Sequence, residues 1–294
     1  MLYRRKVLLA LLQALGRKVD SISFQKLLFL LTEKQRSKSF DFIPYQYGCY
    51  SFQANAEMKV LERNGFLKDL NNVWMIENKE NWIEQLEDND KSSLTAVVHE
   101  FGSWTKDKLI YWTYTEHPYY AINSKIAHEH LNEMEIVFAE TARPKVRGAA
   151  LLTTGYEGIS LEHYLNRLIK EGVKLLCDVR KNPASMKYGF ARKTLEKACG
   201  GVHIEYRHIP ELGIDGELRK NLLTKQDYEA LFKHYDQEIL PSVVDKQNEL
   251  LELIHRYERV AITCFEADPQ FCHRSHLSTA IENRSKNEFE VRHL

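Results

Sequence analysis

The second half of the chain alternates apolar runs of strand length with stretches of helical periodicity, and this alternation limits the possible folds. Because each helix returns the chain across the sheet, consecutive strands run parallel. The pattern therefore predicts an α/β domain, Rossmann-like, with a mostly parallel sheet flanked by helices. Strands are predicted at residues 149–153, 174–178, 203–209, 259–264 and 289–294, and helices at 161–171, 191–199, 225–257, with a break at Pro241, and 274–283.

The first half, to about Ala139, has mainly helical periodicity. Leucines at spacings of three and four predict a first helix that Gly16 ends, and a second apolar stretch predicts a helix that Ser23 caps. Residues 66–76 predict a short hairpin around Asn71 and Asn72. Two helices followed by a small hairpin predict a mainly helical, winged-helix-like domain.

The segment FDFIPYQYGCYSF at residues 40–52 is too irregular for one helix, and we expect an ordered aromatic loop. Its rings either fill a small helical core or, if exposed, form a surface for a protein partner through Tyr45, Tyr47 and Tyr50. The segment TARPKVRG at 141–148 interrupts both patterns and predicts a domain boundary. The predicted domains are residues 1–142 and 149–294.

The charge balance gives no support for nucleic-acid binding by bulk charge, because 41 Lys and Arg residues match 41 Asp and Glu residues. The five cysteines are scattered and no secretory signal precedes them, so we expect a cytoplasmic protein. The apolar stretch at residues 7–15 is too short for a membrane span, and no membrane association is expected. The sequence does not indicate an oligomeric state.

Polar or glycine-containing segments follow four of the predicted strands. They are TTGYEGIS, CDVRKNP, IPELG and CFEADPQFCHR, in chain order. Because ligands of parallel α/β sheets bind beyond the carboxyl ends of the strands, these segments are expected to share one rim. The residues expected to bind an anion or substrate are Gly155, Tyr156, Glu157, Gly158, Arg180, Asn182, Glu211 and Arg274.

Each of these residues also has a plain structural explanation. Gly155 to Gly158 form either a simple turn or, near a helix N-terminus, an anion-binding turn. Asp178 and Arg180 lie on the same side of a strand end and form either a structural ion pair or an active-site pair. Glu211 is either a solvated carboxylate or a ligand contact.

The segment CFEADPQFCHR contains two cysteines, a glutamate, a histidine and an arginine. A structural metal is not expected, because adjacent Cys272 and His273 cannot easily bind one ion and no CxxC is present. A disulfide between Cys264 and Cys272 is unusual in the cytoplasm. Cys272 is either a buried packing residue or a nucleophile whose pKa a helix N-terminus lowers.

The motifs TTGYEG, CDVRKNPAS, YRHIPELG, CFEADPQFCHR and VRHL occur in the order seen in family 488 of the domains of unknown function. Residues 151–294 resemble that family, which implies a Rossmann-type domain without a settled activity. Its members' genomic contexts imply genome conflict or phage defence. The family's motif residues correspond here to Gly155, Tyr156, Gly158, Asp178, Arg180, Pro183, Cys264, Glu266, Cys272, His273 and Arg274.

The N-terminal motifs YRRKVLLALLQAL, SFQKLLFLL, FIPYQYGCYSFQ and HPYYAINS resemble the Panacea (SocA-like) domain up to about Ala127. That resemblance implies an antitoxin-associated domain that recognises a protein partner. The family's pattern has proline after the loop glycine, whereas this chain has Cys49. The resemblance therefore does not imply that this loop is rigid.

These observations lead to the hypothesis of an enzyme that acts on a nucleotide or nucleic acid, at a phosphate or N-glycosidic bond. Asp178 or Glu266 would be the general base and His273 the proton donor. A nucleotide-sensing or antitoxin-like binding protein is the alternative, and a thiol enzyme using Cys272 is a third possibility. The sequence does not identify a cofactor.

Overall fold

The computed structural model of the protein describes residues 1–77, 80–220 and 222–294. The chain forms two compact units, Met1–Arg143 and Pro144–Leu294. We call them the N-terminal unit and the C-terminal unit.

The N-terminal unit is mainly helical, as the periodicity predicts. Apolar faces of its first helices form the core, where Leu8, Leu11 and Leu28 are fully buried. Asp20, and not Ser23 as predicted, caps the second helix by accepting a hydrogen bond from the Ser23 N–H, because the helix begins at Ser21, two residues before Ser23. Ser51 caps the third helix by accepting from the Ala54 N–H. The helices are α1 (Tyr3–Ala14), α2 (Ser21–Lys34), α3 (Phe52–Arg63), α4 (Asp88–Phe101), α5 (Lys106–Glu116), α6 (Ala127–His130) and α7 (Glu133–Thr141).

A small antiparallel sheet accompanies these helices. Its strands are β1 (Lys18–Asp20), β4 (Leu67–Asp69) and β5 (Val73–Ile76), in the order β1-β5-β4. The β4–β5 hairpin turns at Asn71 and Asn72, both at positive φ, as asparagine tolerates. The predicted hairpin and the helical class of this unit are thus confirmed.

The aromatic segment contains a second hairpin where the sequence predicts an irregular loop. Strands β2 (Ile43–Tyr45) and β3 (Gly48–Tyr50) pair antiparallel, with Tyr45 opposite Gly48. Gly48 has φ +96°, and a Cβ there would lie 2.6 Å from the Tyr114 ring. Glycine is therefore needed for both the backbone conformation and the close packing.

The C-terminal unit is built on a parallel sheet of five strands, counted over its described residues, which confirms the Rossmann-like α/β class. The strand order is β10-β6-β9-β7-β8. The strands are β6 (Ala150–Gly155), β7 (Leu175–Asp178), β8 (Glu205–His208), β9 (Arg259–Cys264) and β10 (Glu290–His293). In the central pair, Gly155 at the end of β6 lies opposite Cys264 at the end of β9.

Helices connect the strands at the predicted places. The helical run from Lys225 to Tyr257 is interrupted, but not at Pro241 as predicted, because Pro241 fits the first turn of the short helix Leu240–Ser242. The interruptions are a π-helical turn at Tyr235–Ile239 and the non-helical residue Val243. The helices are α8 (Leu161–Lys170), α9 (Arg192–Gly200), α10 (Lys225–His234), α11 (Leu240–Ser242), α12 (Val244–Tyr257) and α13 (His273–Ser285).

The sheet is covered on both faces. Leu151, Leu175 and Val260 pack in one cluster with residues of α12 and α13. The alternate residues Leu152 and Leu176 are also fully buried and point to the opposite face. Right-handed connections place α8 and α9 on that face.

The connections that follow the adjacent parallel strands β6 and β9 run in opposite directions across the sheet. The chain leaves β6 towards β7 and leaves β9 towards β10. Their carboxyl ends therefore form a topological switch point, where open α/β sheets bind ligands.

No helix of the described residues is both long and apolar enough to cross a membrane.

Candidate functional site

A cavity of about 390 Å³ opens at the carboxyl edge of the C-terminal unit. Segments that follow β6, β7, β8 and β9 all contribute to its wall, as expected for the rim. Its lining residues are Tyr156, Arg180, Lys181, Asn182, Ala184, Ser185, Met186, Lys187, Ile214, Gly216, Arg219, Cys264, Phe265 and His273. We call this space the rim cavity.

The ion pair between Asp178 and Arg180 organises one side of the rim cavity. Both residues are buried, and the Arg180 guanidinium donates to both oxygens of the Asp178 carboxylate. The Tyr206 hydroxyl donates to the same carboxylate at 2.6 Å. The carboxylate of Asp178 therefore accepts several hydrogen bonds and orients Arg180, rather than facing the cavity itself.

Arg180 in turn fixes the aromatic wall of the cavity. Its Nη1 atom donates to the Tyr156 hydroxyl at 2.6 Å and to the Phe190 carbonyl at 3.0 Å. The Tyr156 ring stacks on the Phe190 ring, with centroids 4.1 Å apart and planes 8° apart. Burial raises the pKa of Tyr156, although Arg180 opposes that rise. Tyr156 is thus held as a neutral phenol.

The turn after β6 is joined to the loop after β9. The N–H groups of Tyr156 and Glu157 both donate to the Phe265 carbonyl. A Cβ at Gly155 would lie 1.8 Å from the Glu266 carbonyl oxygen, so only glycine permits this approach. Gly155 therefore brings the two strand ends together.

Glu157 and Gly158 contribute to the same turn rather than to the cavity wall. The exposed Glu157 accepts a hydrogen bond from the Ala267 N–H at 3.1 Å. Gly158 has φ +75°, a conformation suited to glycine. Ser160 then caps α8 by accepting from the His163 N–H.

Glu266 lies behind the lining and pairs with a cation that the sequence analysis did not include. The Arg219 guanidinium donates to Glu266 Oε1 and, at 3.3 Å, to His273 Nδ1. The Cys264 thiol donates to Glu266 Oε2 at 3.0 Å. Glu266 thus links Arg219 to the end of β9.

Cys264, Cys272 and His273 form a buried group at the base of the cavity. Their Sγ and Nδ1 atoms all lie within 4.8 Å of one another. The sequence predicts that adjacent Cys272 and His273 do not easily bind one ion, yet Cys272 Sγ lies only 3.9 Å from His273 Nδ1. The two side chains can approach each other because Cys272 is extended while His273 begins α13.

The two thiols of this group differ in acidity. Although burial raises the pKa of the Cys272 thiol, its contacts with Cys264 and His273 and the nearby Arg274 charge lower it well below the usual value. The contact with Cys272 and burial raise the pKa of Cys264. Of the two thiols, that of Cys272 is therefore the more acidic.

The Nε2 atom of His273 has no hydrogen-bond partner among the described residues, although the side chain is only 2% exposed. His273 nevertheless lines the rim cavity. A buried polar atom without a partner in a cavity wall is a group that a ligand could satisfy.

Arg274 is fully buried beneath the cavity rather than part of its lining. Its guanidinium donates to the carbonyls of Glu266 and Ala267 and to Thr153 Oγ1. Because these partners are neutral, they do not balance the charge of Arg274. That charge adds positive potential near Cys272 and helps to lower the pKa of its thiol. Arg274 holds the β9 loop against β6 and acts on a ligand only through that loop and its charge.

Asn182 and Glu211 are both predicted to contact ligand, but only Asn182 lies in the wall of the rim cavity. Asn182 lines the cavity, and its side chain accepts from the Ala184 N–H at 3.0 Å to shape the loop. Glu211 is exposed on the 3₁₀ turn Pro210–Leu212 and is not among the lining residues. The segment after β8 instead contributes Ile214, Gly216 and Arg219.

Sequence reasoning missed Lys181, Lys187 and Arg219. Lys187 donates to the Tyr156 carbonyl. In the part of the chain that the structure describes, no ion pair involves Lys181 or Lys187, so the cavity has an excess of positive charge. Lys181 lies within the motif CDVRKNP and Lys187 follows it closely, so both could have been predicted as anion-binding residues. The place of Arg219 depends instead on the 3₁₀ turn Gly216–Arg219.

The three tyrosines of the N-terminal unit border a separate cavity of about 670 Å³. Tyr45 and Tyr50 stack with ring centroids 5.2 Å apart, and Tyr47 is 49% exposed. The buried Lys26, whose pKa burial lowers, also lines this cavity and donates to the Tyr47 carbonyl. Only Tyr47 has the exposure of a surface residue.

The structure thus defines a Rossmann-like α/β unit with a positively charged cavity at its switch point. A family model described as a domain of unknown function, DUF488, matches residues 160–281. The C-terminal unit is therefore similar to a family without an assigned function. No curated protein matches the chain. The Panacea-like resemblance of the N-terminal unit stays a prediction.

Proposed function

We propose that the protein is an enzyme that acts on a nucleotide or nucleic acid, with the phosphate held in the rim cavity. The observation that carries this proposal is the excess of cationic side chains around a buried histidine whose Nε2 atom has no partner among the described residues. The reaction would break a phosphate or N-glycosidic bond.

Phosphate binding would depend mainly on Lys181 and Lys187. The charges of Arg180 and Arg219 are balanced by Asp178 and Glu266, so these arginines contribute hydrogen bonds more than net charge. The two lysines have no such balance and attract anions. A cavity of about 390 Å³ is within the size range of small-molecule sites.

His273 is the best candidate for proton transfer. Its imidazole lines the cavity and could protonate an oxygen or nitrogen leaving group. Asp178 and Glu266 are already engaged by arginines, so we assign them positioning roles ahead of the general-base role.

One observation favours the alternative, a nucleotide-sensing or antitoxin-like regulatory protein. Asp178 and Glu266, the two carboxylates predicted as general base, are both paired with arginines and so are not free to accept a proton. In either case the N-terminal unit would recognise a protein partner, and the exposed Tyr47 is the ring best placed to contact it.

Calorimetric titration with ATP and with a 5′-phosphorylated oligothymidine tests phosphate binding. We expect both to bind, and Lys181→Ala or Lys187→Ala to weaken binding about 10- to 150-fold, the loss of one charge-assisted hydrogen bond. Lys193→Ala is the matched control, since Lys193 is exposed on α9 outside the cavity lining. If adenosine bound as tightly as ATP, or if Lys193→Ala weakened binding equally, the phosphate site would be rejected.

Mass spectrometry of the same ligands after incubation separates the two functions. An enzyme should convert one of them, and His273→Gln should slow conversion by roughly 10²- to 10⁴-fold with binding retained. Binding without conversion would instead support the sensing protein.

A further inference from the structure

We propose that Cys264, Cys272 and His273 bind a Zn²⁺ ion at the base of the rim cavity. This inference goes beyond the proposed function and is independent of it, because it concerns the metal affinity of three side chains and not the ligand above them.

The distances within the group are close to those of a zinc site. His273 Nδ1 lies 3.8 Å from Cys264 Sγ and 3.9 Å from Cys272 Sγ. A tetrahedral ion with Zn–S of about 2.3 Å and Zn–N of about 2.0 Å requires an S···N separation of about 3.5 Å. Shifts of a few tenths of an ångström would therefore bring both S···N pairs to this separation, and the two Sγ atoms lie within 4.8 Å of each other.

The fold holds the three ligands in place without the ion. Cys264 ends the central strand β9, whereas Cys272 and His273 form the junction with α13. Arg274 fixes the intervening loop through two backbone carbonyls. Ligands that are already gathered lose little conformational entropy on binding.

The ligand types select a soft divalent ion. Two thiolates and an imidazole favour zinc, whereas Mg²⁺ and Ca²⁺ prefer oxygen ligands. Two thiolates would balance the charge of Zn²⁺, and the Glu266–Arg219 pair beside them is already neutral. All three ligands are at most 3% exposed, so a neutral complex fits their burial.

The fourth coordination position would face the rim cavity. Cys264 and His273 both contribute to its lining, so a water or ligand atom could complete the coordination. Glu266 Oε2, 3.0 Å from Cys264 Sγ, is a protein oxygen that could take that position instead. Binding would require Arg219 to release Nδ1 of His273, while its ion pair with Glu266 can remain.

Cobalt spectroscopy of the reduced full-length protein tests the site. We expect one Co²⁺ per chain, a thiolate-to-cobalt charge-transfer band in the near ultraviolet, and displacement of Co²⁺ by one equivalent of Zn²⁺. Cys264→Ser or Cys272→Ser should lower zinc affinity by more than the roughly 10- to 100-fold that loss of an outer-shell partner causes. The variants Cys177→Ser and Cys199→Ser, at buried free thiols of the same unit, should keep the spectrum.

The wild-type spectrum decides the question even if a serine variant does not fold. Absence of a thiolate band in reduced wild-type protein with excess Co²⁺ would overturn the proposal. An unchanged band in folded Cys264→Ser and Cys272→Ser protein, judged by circular dichroism, would overturn it equally. Closure of a Cys264–Cys272 disulfide in protein that binds no metal when reduced would assign the pair to redox chemistry instead.

Discussion

At the scale of single residues, the Asp178–Arg180 pair joins the β7 end to the cavity wall. Asp178 is fully buried and does not line the rim cavity, so its carboxylate cannot be solvated if Arg180 is removed. A buried ion pair adds little stability compared with an apolar pair of similar volume, but a buried charge whose partner has been removed is strongly destabilising. Arg180 therefore stabilises the unit as well as shaping the cavity.

Replacing Arg180→Ala should lower the free energy of unfolding by about 3–5 kcal/mol, because the Asp178 carboxylate stays buried without its cation. Urea denaturation of the full chain would measure the change. Arg207→Ala is the control, since Arg207 pairs with Glu249 while 50% exposed and should cost at most about 1 kcal/mol. Equal effects of the two substitutions would contradict the role given to Arg180.

Residue types and spacing could predict which side chains come near the rim, but not their partners. Asp178 and Arg180 occupy alternate positions, so their common side could be inferred. The contact of Tyr206 with Asp178 and that of Arg219 with Glu266 join segments 28 and 47 residues apart. Such contacts depend on loop conformations, which residue periodicity does not determine.

At the scale of elements, Gly155 sets the distance between the end of β6 and the loop after β9. The Glu266 carbonyl occupies the space of a side chain at this position. The opposing atom is backbone and is fixed by Arg274, so it cannot move aside easily. The rim cavity depends on this close approach.

Gly155→Ala should therefore destabilise the C-terminal unit by more than about 2 kcal/mol, because the loop must be displaced. It should also weaken ATP binding, while Gly200→Ala at the end of α9, where a Cβ meets nothing within 4 Å, should be neutral. Chemical denaturation and calorimetry provide the two measurements. A stable Gly155→Ala protein with unchanged binding would show that the approach of the two segments does not shape the site.

Elements with clear periodicity could be predicted from the sequence almost to their ends. The strand predicted at 259–264 coincides with β9, because a short, β-branched apolar run between polar segments is typical of a buried strand. The β2–β3 hairpin could not be predicted, since its turn depends on packing of Gly48 against Tyr114. Tertiary contacts decide such short strands.

At the scale of the whole molecule, the chain divides into two compact units, and the boundary lies between Arg143 and Pro144. Arg143 is tied to the N-terminal unit through the Asn123 side chain and Glu140. Residues 145–149 after it are exposed. The change of periodicity at 141–148 indicated this region because proline, glycine and basic residues interrupt both patterns.

Brief trypsin treatment should cut first after Lys145 or Arg147, which are exposed and lie between the units. Two stable fragments of similar length are expected, because each unit has its own core. Intact-mass spectrometry would identify the cleavage site. Early cuts spread through either unit would show that the segment is protected or that a unit is less stable than proposed.

The strand order of the sheet has a consequence for synthesis of the protein on the ribosome. β6 is the first strand of its unit to be made, but its neighbours are β9 and β10, which pair Ala150 with Arg259 and Glu290. Until β9 is made, β7 and β8 are the adjacent strands that can pair. The apolar β6 must therefore wait unpaired while more than a hundred further residues are translated, an interval in which chaperones would be expected to protect it.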